Sequence, residues 1–328
     1  MNATSLSGPM QVAHERLNGV EPYEVGSLSD GHKLGLAIGS GGGAGPVTLG
    51  KLLALQETGV LGVVDEIHAL SIGAINAGAQ MAGQTDLALE GYEIMTRSGF
   101  IDARRFWSVV NMGVLSRALR GSRGLDVEKI VNSPTPIHVG VSQLNGGLRP
   151  ISVNLSEQDP EHVIDWLMRG AHLGIAAGPA PKDVKGNVYA DGGFSHLSAV
   201  DMAVTNGCTV VILLSNQPYA PDVYKPWQVM LMGAGLSLYD LMAIPTFSRI
   251  VRAQIASRRD FKDGAFKYGD ASIEGFFPPR PDCPENSLPT LFNTDPRRIK
   301  IGFDVGKLSV LQRLSGLLPI PTNLQTSN

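Results

Sequence analysis

The sequence predicts an α/β fold in which helices cover a mostly parallel central sheet. From about residue 33 to 216, short apolar runs of strand length alternate with segments of helical periodicity, and strands separated by helices typically form parallel sheets. The chain of 328 residues contains 39 glycines, and 43% of its residues are apolar while only 17% are charged. A chain of this length and composition can bury a large core, and it is typical of a compact enzyme rather than a solvated scaffold.

The first predicted strand leads through a Gly-rich loop into a helix. Residues 34–38 form an apolar run, and residues 39–45 read Gly-Ser-Gly-Gly-Gly-Ala-Gly. Pro46 suits the first turn of a helix, where a missing N–H leaves no hydrogen bond unmade, and Gly59 is expected to end that helix. Its apolar face consists of Val47, Leu49, Leu52, Leu53 and Leu55. Because glycines let backbone N–H groups approach a ligand closely, the loop can bind a phosphate or the oxyanion of acyl transfer.

A second strand ends at a serine with the surroundings of a nucleophile elbow. The apolar run at residues 67–70 stops at Ser71, and a helix of small residues begins directly after it. A sharp turn between strand and helix exposes a hydroxyl, and the first N–H groups of the helix point at any anion that forms there. The G-x-S-x-G pattern is not met in full, because Ala69 stands where the first glycine is expected. This segment makes Ser71 a candidate nucleophile.

Two other interpretations of the Gly-rich loop stay open. Residues 39–44 fit the relaxed G-x-G-x-x-A form of a dinucleotide-binding fingerprint. That fingerprint needs an acidic residue at the end of the second strand to hold a ribose, whereas here the strand ends in Ser71, and Asp65 and Glu66 precede it. The loop can also be a turn that only packs closely.

An aspartate followed by two glycines forms the third motif. Asp191 ends a short run and precedes Gly192 and Gly193, and a helix at 198–207 and a buried strand at 209–214 are expected after it. An isolated Asp-Gly-Gly is usually a turn. Its position after a Gly-rich loop and a serine elbow makes Asp191 a candidate base.

The rest of the chain is expected to complete one domain. Further elements are expected as a helix at 85–98, a helix and small-residue turn at 159–177, strands at 137–141 and 151–155, and a lid or cap region at 104–120. Residues 1–32 are polar with little periodicity, so we expect an N-terminal extension or arm outside a domain at 33–328. Within this domain we expect a core at 33–216 and a helical, Pro-rich part at 217–328, with a surface excursion at 276–296.

Together the three motifs resemble the patatin-like phospholipase family. That family combines a Gly-rich oxyanion loop, a serine elbow that opens an Asn-containing helix, and a distal Asp-Gly-Gly or Asp-Gly-Ala. The resemblance covers about residues 33–214, and the segment 303–316 also resembles the family's terminal helix. It implies a three-layer α/β fold with a mostly parallel central sheet, and a serine acyl hydrolase that uses a Ser-Asp dyad without a histidine.

The resemblance implies a role for each motif residue. Ser71 corresponds to the nucleophile and Asp191 to its base. The oxyanion hole is expected from Gly41, Gly42, Gly43 and Ile72, and the motifs are supported by Gly45, Gly73, Gly192 and Gly193. No metal and no cofactor are expected.

Some residues depart from the family pattern. The family's loop usually carries an arginine before the last glycine, whereas Ala44 runs directly into Gly45. Ala69 replaces a glycine, and Leu70 and Ile72 flank the serine where the family often has Thr and Ala. We therefore expect a more apolar and more crowded elbow, with a diverged substrate or activity.

These motifs leave more than one function open. The dyad can hydrolyse a lipid or another acyl ester, or it can transfer the acyl group to an acceptor in a specialised pathway. The chain can also be a catalytically weak relative that only binds acyl chains. A Ser-Asp-His triad is a further alternative, because His196 follows Asp191 in the order found in α/β-hydrolases.

Charge and hydropathy limit the expected partners and location. A net charge of −3 gives no overall attraction to nucleic acid, and the sequence indicates no oligomeric state. The apolar stretch at 227–247 precedes a basic series, which suits a peripheral membrane contact but also a core helix followed by a solvated one. That series is Arg249, Arg252, Arg258, Arg259 and Lys262. With only Cys208 and Cys283, and no signal peptide at the N-terminus, a cytoplasmic protein is expected.

Overall fold

The computed structural model of the chain describes residues 8–97, 99–102, 104–105, 108–216, 247, 265–278, 288–289 and 293–315. Within them the strands are β1 (Leu34–Ile38), β2 (Glu66–Leu70), β3 (Ile137–Gln143), β4 (Arg149–Asn154), β5 (Tyr189–Asp191), β6 (Val210–Leu214), β7 (Ala265–Tyr268) and β8 (Ala271–Phe276). The helices are α1 (Gly8–Leu17), α2 (Pro46–Glu57), α3 (Ile72–Met81), α4 (Thr85–Arg97), α5 (Met112–Arg120), α6 (Val127–Val131), α7 (Pro160–Gly170), α8 (Ala199–Thr205) and α9 (Pro296–Leu314).

The strands form one mixed sheet whose centre is parallel. Their order is β4-β3-β2-β1-β6-β8-β7, and β5 also pairs with β3. The contacts that join β3, β2, β1, β6 and β8 are parallel, whereas β4, β5 and β7 pair in the antiparallel sense. The predicted α/β class with a mostly parallel central sheet is confirmed.

Alternate residues of β1 point into two separate cores. Leu36 and Ile38 lie in the larger core, together with residues of α2 and α3. Ala37 lies in a smaller core with residues of α8. Because successive strand residues point to opposite faces of a sheet, helices cover both faces and the architecture has three layers.

The C-terminal helix α9 packs closely on α2. A Cβ added at Gly50 would lie 2.0 Å from the carbonyl oxygen of Phe303, and one added at Gly306 would lie 2.0 Å from that of Val47. Only glycine allows the two backbones to approach this far. The helix expected at 303–316 is present within α9, which begins earlier than expected.

Residues 8–32 differ from the expected N-terminal arm, because they are folded onto the domain. Helix α1 buries Met10, and its Arg16 donates to the carboxylates of Asp65 at 2.8 Å and Asp30 at 2.7 Å. The Arg16 guanidinium also lies 3.7 Å from the ring centre of Tyr23. Periodicity missed this helix because its buried apolar residues are few and a long-range ion pair helps to anchor it. The domain boundaries near residues 33 and 216 stay predictions.

The other expected elements are found with small shifts at their ends. The helix at 85–98 is α4, the strands at 137–141 and 151–155 are β3 and β4, and the region at 104–120 contains α5, whose role as a lid stays a prediction. Most of the Pro-rich excursion and, apart from Phe247, the apolar and basic stretch at 227–262 lie outside the described residues. Among the helices described, none has the length and hydropathy needed to cross a membrane.

Candidate active site

Ser71 lies at a strained turn between β2 and α3. Its φ of 56° and ψ of −134° fall in a region that non-glycine residues adopt at a cost on the order of 1–3 kcal/mol. The turn is held from both sides, because β2 lies between β1 and β3 and residues Ile72 to Gln80 of α3 are buried. The backbone therefore has the elbow geometry that the sequence predicts, and the serine is only 4% exposed.

The register of the sheet brings Asp191 next to Ser71. Leu70, at the end of β2, pairs with Gly140 of β3. The next residue of β3, Val141, pairs with Asp191 of β5. The Ser71 side chain interacts with the Asp191 carboxyl closely enough to lower its pKa. Two residues that are far apart in the sequence are thus neighbours in the fold.

Burial sets the basicity of Asp191. The residue is 4% exposed, and this burial raises its pKa to about 6, although hydrogen bonds from Ser71 and from the N–H of Gly193 act to lower the pKa. The Gly193 N–H lies 2.8 Å from Asp191 Oδ1. A carboxylate with a raised pKa is a stronger base than a solvated aspartate, whose pKa is about 3.9. At pH 7 and above it is still mostly ionised, so it can accept the serine proton.

The Gly-rich loop supplies backbone N–H groups near the elbow. Residues Gly42–Ala44 form a single turn in which the N–H groups of Ala44 and Gly45 bind the carbonyls of Gly41 and Gly42, at 2.9 and 3.0 Å. The N–H groups of Gly42 and Gly43 have no acceptor in the part of the chain described. Gly42 has a φ of +50°, a conformation that favours glycine. These N–H groups can bind an oxyanion.

Helix α3 supplies further donors and approaches the loop closely. Ile72 and Gly73 occupy its first positions, where N–H groups have no intrahelical acceptor. A Cβ added at Gly73 would lie 2.8 Å from the carbonyl oxygen of Gly39. Glycine at this position therefore lets the start of the loop lie beside the helix N-terminus.

A buried polar network, which the sequence did not predict, holds the loop. Asn76 of α3 donates to the carbonyl of Gly45 at 2.9 Å and to the Thr48 hydroxyl at 3.1 Å. The Tyr92 hydroxyl of α4 donates to Asn76 Oδ1 at 2.8 Å. Asn216, after β6, accepts from the Thr48 N–H at 3.1 Å and donates to the carbonyls of residues 39 and 40 at 3.3 Å. The signal in the sequence was an asparagine in a helix otherwise made of small and apolar residues.

The residues that depart from the family pattern have buried side chains; they are Ala44, Ala69, Leu70 and Ile72. Ala44 and Ala69 are fully buried. The Leu70 side chain occupies space that two glycines leave open. A Cβ added at Gly140 would lie 2.4 Å from this side chain, and one added at Gly192 would lie 2.8 Å from it. A Cβ at Gly192 would also lie 2.3 Å from the carbonyl oxygen of Gly140. The elbow is apolar and closely packed, as expected.

His196 is hydrogen bonded to the backbone of the sheet. Its Nε2 lies 3.1 Å from the carbonyl oxygen of Ile151, and the ring also bonds the backbone of Val141. Burial lowers the pKa of this histidine. The ring is thus engaged by the backbone of β3 and by Ile151 of β4, which favours the dyad over the triad.

The dinucleotide interpretation fails on the position of Asp65. This carboxylate lies before β2, at the end of the strand opposite to Ser71, and binds Arg16 at 2.8 Å. Its other contacts include the N–H of Leu34 at 2.8 Å and the Tyr23 hydroxyl at 2.8 Å. It therefore cannot hold a ribose beside the Gly-rich loop.

An apolar cavity of about 220 Å³ lies next to the elbow, among α3, α4 and α5. Ile72, the residue after Ser71, lines one side of it. The other apolar lining residues include Ile75, Ala79, Leu87, Leu115 and Leu119. A cavity of this character can hold an aliphatic chain.

Comparison with solved structures shows a likeness in fold. The chain is similar to VipD from Legionella pneumophila, with a TM-score of 0.42 and 12% sequence identity, over 87% of this chain and 67% of VipD. No protein-family model matches the chain, and no curated protein matches it. The fold and the site define an α/β protein with a serine and an aspartate in contact at a strand-to-helix elbow, and its function is argued from that geometry.

Proposed function

We propose that the protein is a patatin-like serine acyl hydrolase that acts on a lipid or another acyl ester. The contact between Ser71, at a strained elbow, and the buried carboxylate of Asp191 carries this proposal. A hydroxyl that neighbours a base of raised pKa and lies beside backbone N–H groups without an acceptor among the described residues has the parts needed for nucleophilic acyl transfer.

The reaction proceeds through an acyl-enzyme. As Ser71 Oγ attacks the acyl carbonyl, its proton passes to Asp191, and the negative charge on the carbonyl oxygen is held by the N–H groups of Gly42, Gly43 and Ile72. The tetrahedral intermediate collapses, and the alcohol leaves with the proton from Asp191. Water then attacks the ester of Ser71, gives a proton to Asp191, and releases the fatty acid as that proton returns to the serine.

The apolar cavity supports an aliphatic acyl group. Its volume of about 220 Å³ is below the roughly 300–1,000 Å³ typical of pockets for drug-sized ligands. It therefore suits one acyl chain better than a complete two-chain lipid. The head group of the substrate would then lie outside this cavity, which is consistent with hydrolysis at the elbow.

Acyl transfer is the second candidate, and burial of the dyad favours it. Both Ser71 and Asp191 are only 4% exposed. A site that admits little water slows hydrolysis of the acyl-enzyme, so a bound alcohol or amine competes well as acceptor.

The test uses nitrophenyl esters of increasing chain length, with and without a nucleophilic acceptor. We expect the wild type to release nitrophenol and Ser71→Ala to release none. Ala79→Leu, which places a larger side chain in the cavity wall, should shift the preference to shorter chains. Product analysis separates free acid, the hydrolase product, from acylated acceptor, the transferase product. Binding without turnover in the wild type would leave only the acyl-chain-binding alternative and contradict the proposal.

Contact with a membrane surface is proposed for the stretch at 227–262, on its apolar-then-basic order alone. The protein should co-sediment with anionic vesicles, and Arg258→Glu with Arg259→Glu should weaken this. Unchanged sedimentation of the double variant would contradict the proposal.

A further inference from the structure

A cluster of metal-ligating side chains lies within the sheet, apart from the dyad. Glu66 and His68 belong to β2, and His138 is the residue of β3 whose Cα pairs with that of His68. Cys208, which precedes β6, completes the group. Side chains two positions apart on a strand, and those at paired positions of neighbouring strands, point to the same face. The register of the sheet therefore collects these residues, although no spacing in the sequence predicts a metal site.

The distances in this cluster fit the edges of a coordination tetrahedron. His68 Nε2 lies 3.0 Å from Glu66 Oε2 and 3.8 Å from Cys208 Sγ. His138 Nε2 lies 3.7 Å from the same Glu66 oxygen. Zinc bonds of about 2.0–2.3 Å to nitrogen, oxygen and sulfur place tetrahedral ligand atoms roughly 3.3–3.6 Å apart.

Hydrogen bonds leave one nitrogen of each imidazole without a partner. The rings stack at 4.7 Å with an angle of 14° between their planes, and His68 Nδ1 and His138 Nε2 are buried without a hydrogen-bond partner among the described residues. A neutral imidazole can donate the lone pair of a ring nitrogen to a metal, and a thiol that binds zinc loses its proton.

The surroundings make space for the sulfur and orient the carboxylate. A Cβ at Gly35 would lie 2.7 Å from Cys208 Sγ, so glycine leaves room for this side chain. Asn206 and Lys33 bind the Glu66 carboxylate at 2.7 and 2.5 Å, as outer partners of a metal-binding carboxylate do. With a thiolate, the Glu66 carboxylate would supply two negative charges to a bound cation.

We propose that Glu66, His68, His138 and Cys208 bind one zinc ion. Imidazole and thiolate ligands select zinc over magnesium and calcium, and four protein ligands are typical of a structural site. On binding, the Cys208 thiol releases its proton to solvent and the sulfur forms the metal bond, while the proton on His68 Nε2 moves to Nδ1 so that Nε2 can bind the ion. The ion would join β2, β3 and the start of β6, and so stabilise the strand that leads to Ser71.

Cobalt is the probe that tests this ligand set. Tetrahedral Co²⁺ absorbs in the visible range, and a Co²⁺–thiolate bond adds a charge-transfer band in the near ultraviolet. We expect the full-length protein, first stripped with a chelator, to bind one equivalent of Co²⁺ with both signals, and Zn²⁺ to abolish them. Cys208→Ser should lose the charge-transfer band, and His138→Gln should weaken Co²⁺ binding at least about tenfold.

The matched control is His162→Gln. Among the described residues, Asp159, Glu161 and His162 form the other group with metal-ligand spacing, but all three are exposed and none is a thiol. This variant should keep both absorption signals. Circular dichroism checks that each variant folds, and Zn²⁺ should raise the melting temperature of the wild type but not of Cys208→Ser. A wild type without the charge-transfer band, or a band that survives Cys208→Ser, would overturn the proposal.

Discussion

Replacing Asp191 by asparagine should abolish activity and yet stabilise the protein at alkaline pH. The folded-state pKa of Asp191 is about 6, raised mainly by burial, whereas its pKa in the unfolded chain is about 3.9. The raised pKa means that this site favours the fold when the carboxyl is protonated. That contribution is fully present below about pH 4 and is lost as the pH rises through about 6.

The size of the effect follows from the pKa difference. A pKa difference of about two units corresponds to about 3 kcal/mol. At about pH 8, the ionised Asp191 lowers the free energy of unfolding by about 3 kcal/mol. Asparagine carries no charge, and its amide can still accept from the Gly193 N–H that lies 2.8 Å from Asp191 Oδ1. Asp191→Asn should therefore be more stable than the wild type by up to about 3 kcal/mol at about pH 8, and by only about 1 kcal/mol at about pH 4.5.

Urea unfolding at the two pH values measures this difference, and turnover is measured on the same samples. Asp183→Asn is the matched control, because its effect on stability should have the opposite sign. Hydrogen bonds, that from the Asn187 side chain first, hold the pKa of Asp183 at about 2, so its contribution is present above about pH 4 and this variant should lose stability at neutral pH. An Asp191→Asn variant that is no more stable than the wild type at about pH 8 would refute the reasoning.

Three further substitutions test the framework of the site, each by urea unfolding. Gly42→Ala should lower the free energy of unfolding by about 1–2 kcal/mol, because alanine is strained at a φ of +50°. It should also lower turnover, and full activity in a stable variant would remove Gly42 from the site. Tyr92→Phe should cost about 1–3 kcal/mol, because it leaves Asn76 Oδ1 buried without its 2.8 Å donor; an unchanged midpoint would contradict this. Arg16→Met should cost about 3–5 kcal/mol, because the buried Asp65 loses its 2.8 Å partner; a neutral result would show that Asp65 is satisfied by other donors.

The parts of the site that were predictable are those with a local cause. Ser71 stands between an apolar strand and a helix of small residues, and the chemistry of that turn is contained in a few adjacent residues. The same holds for the Gly-rich loop and for the Asp191-Gly192-Gly193 turn. Alternating strand and helix patterns were enough to predict the parallel sheet.

The parts that were not predictable depend on contacts between distant residues. Asn216 bonds the backbone of the Gly-rich loop at 3.3 Å, and nothing near it in the sequence indicates that role. Arg16 anchors α1 through Asp65, and this pairing is set by tertiary structure. His68 and Cys208 meet only because β2 and the start of β6 lie on either side of β1. Local patterns do not carry such information.

Covalent labelling by a fluorophosphonate probe tests the central claim, that Ser71 and Asp191 work as a dyad, most directly. Such probes react with a serine that is activated by a base and faces an oxyanion hole. We expect the wild type to be labelled on Ser71 and Ser71→Ala not at all. Asp191→Asn should suppress labelling, because the amide cannot accept the proton, and His196→Ala should leave labelling largely unchanged. Labelling of Asp191→Asn at the wild-type rate would contradict the account.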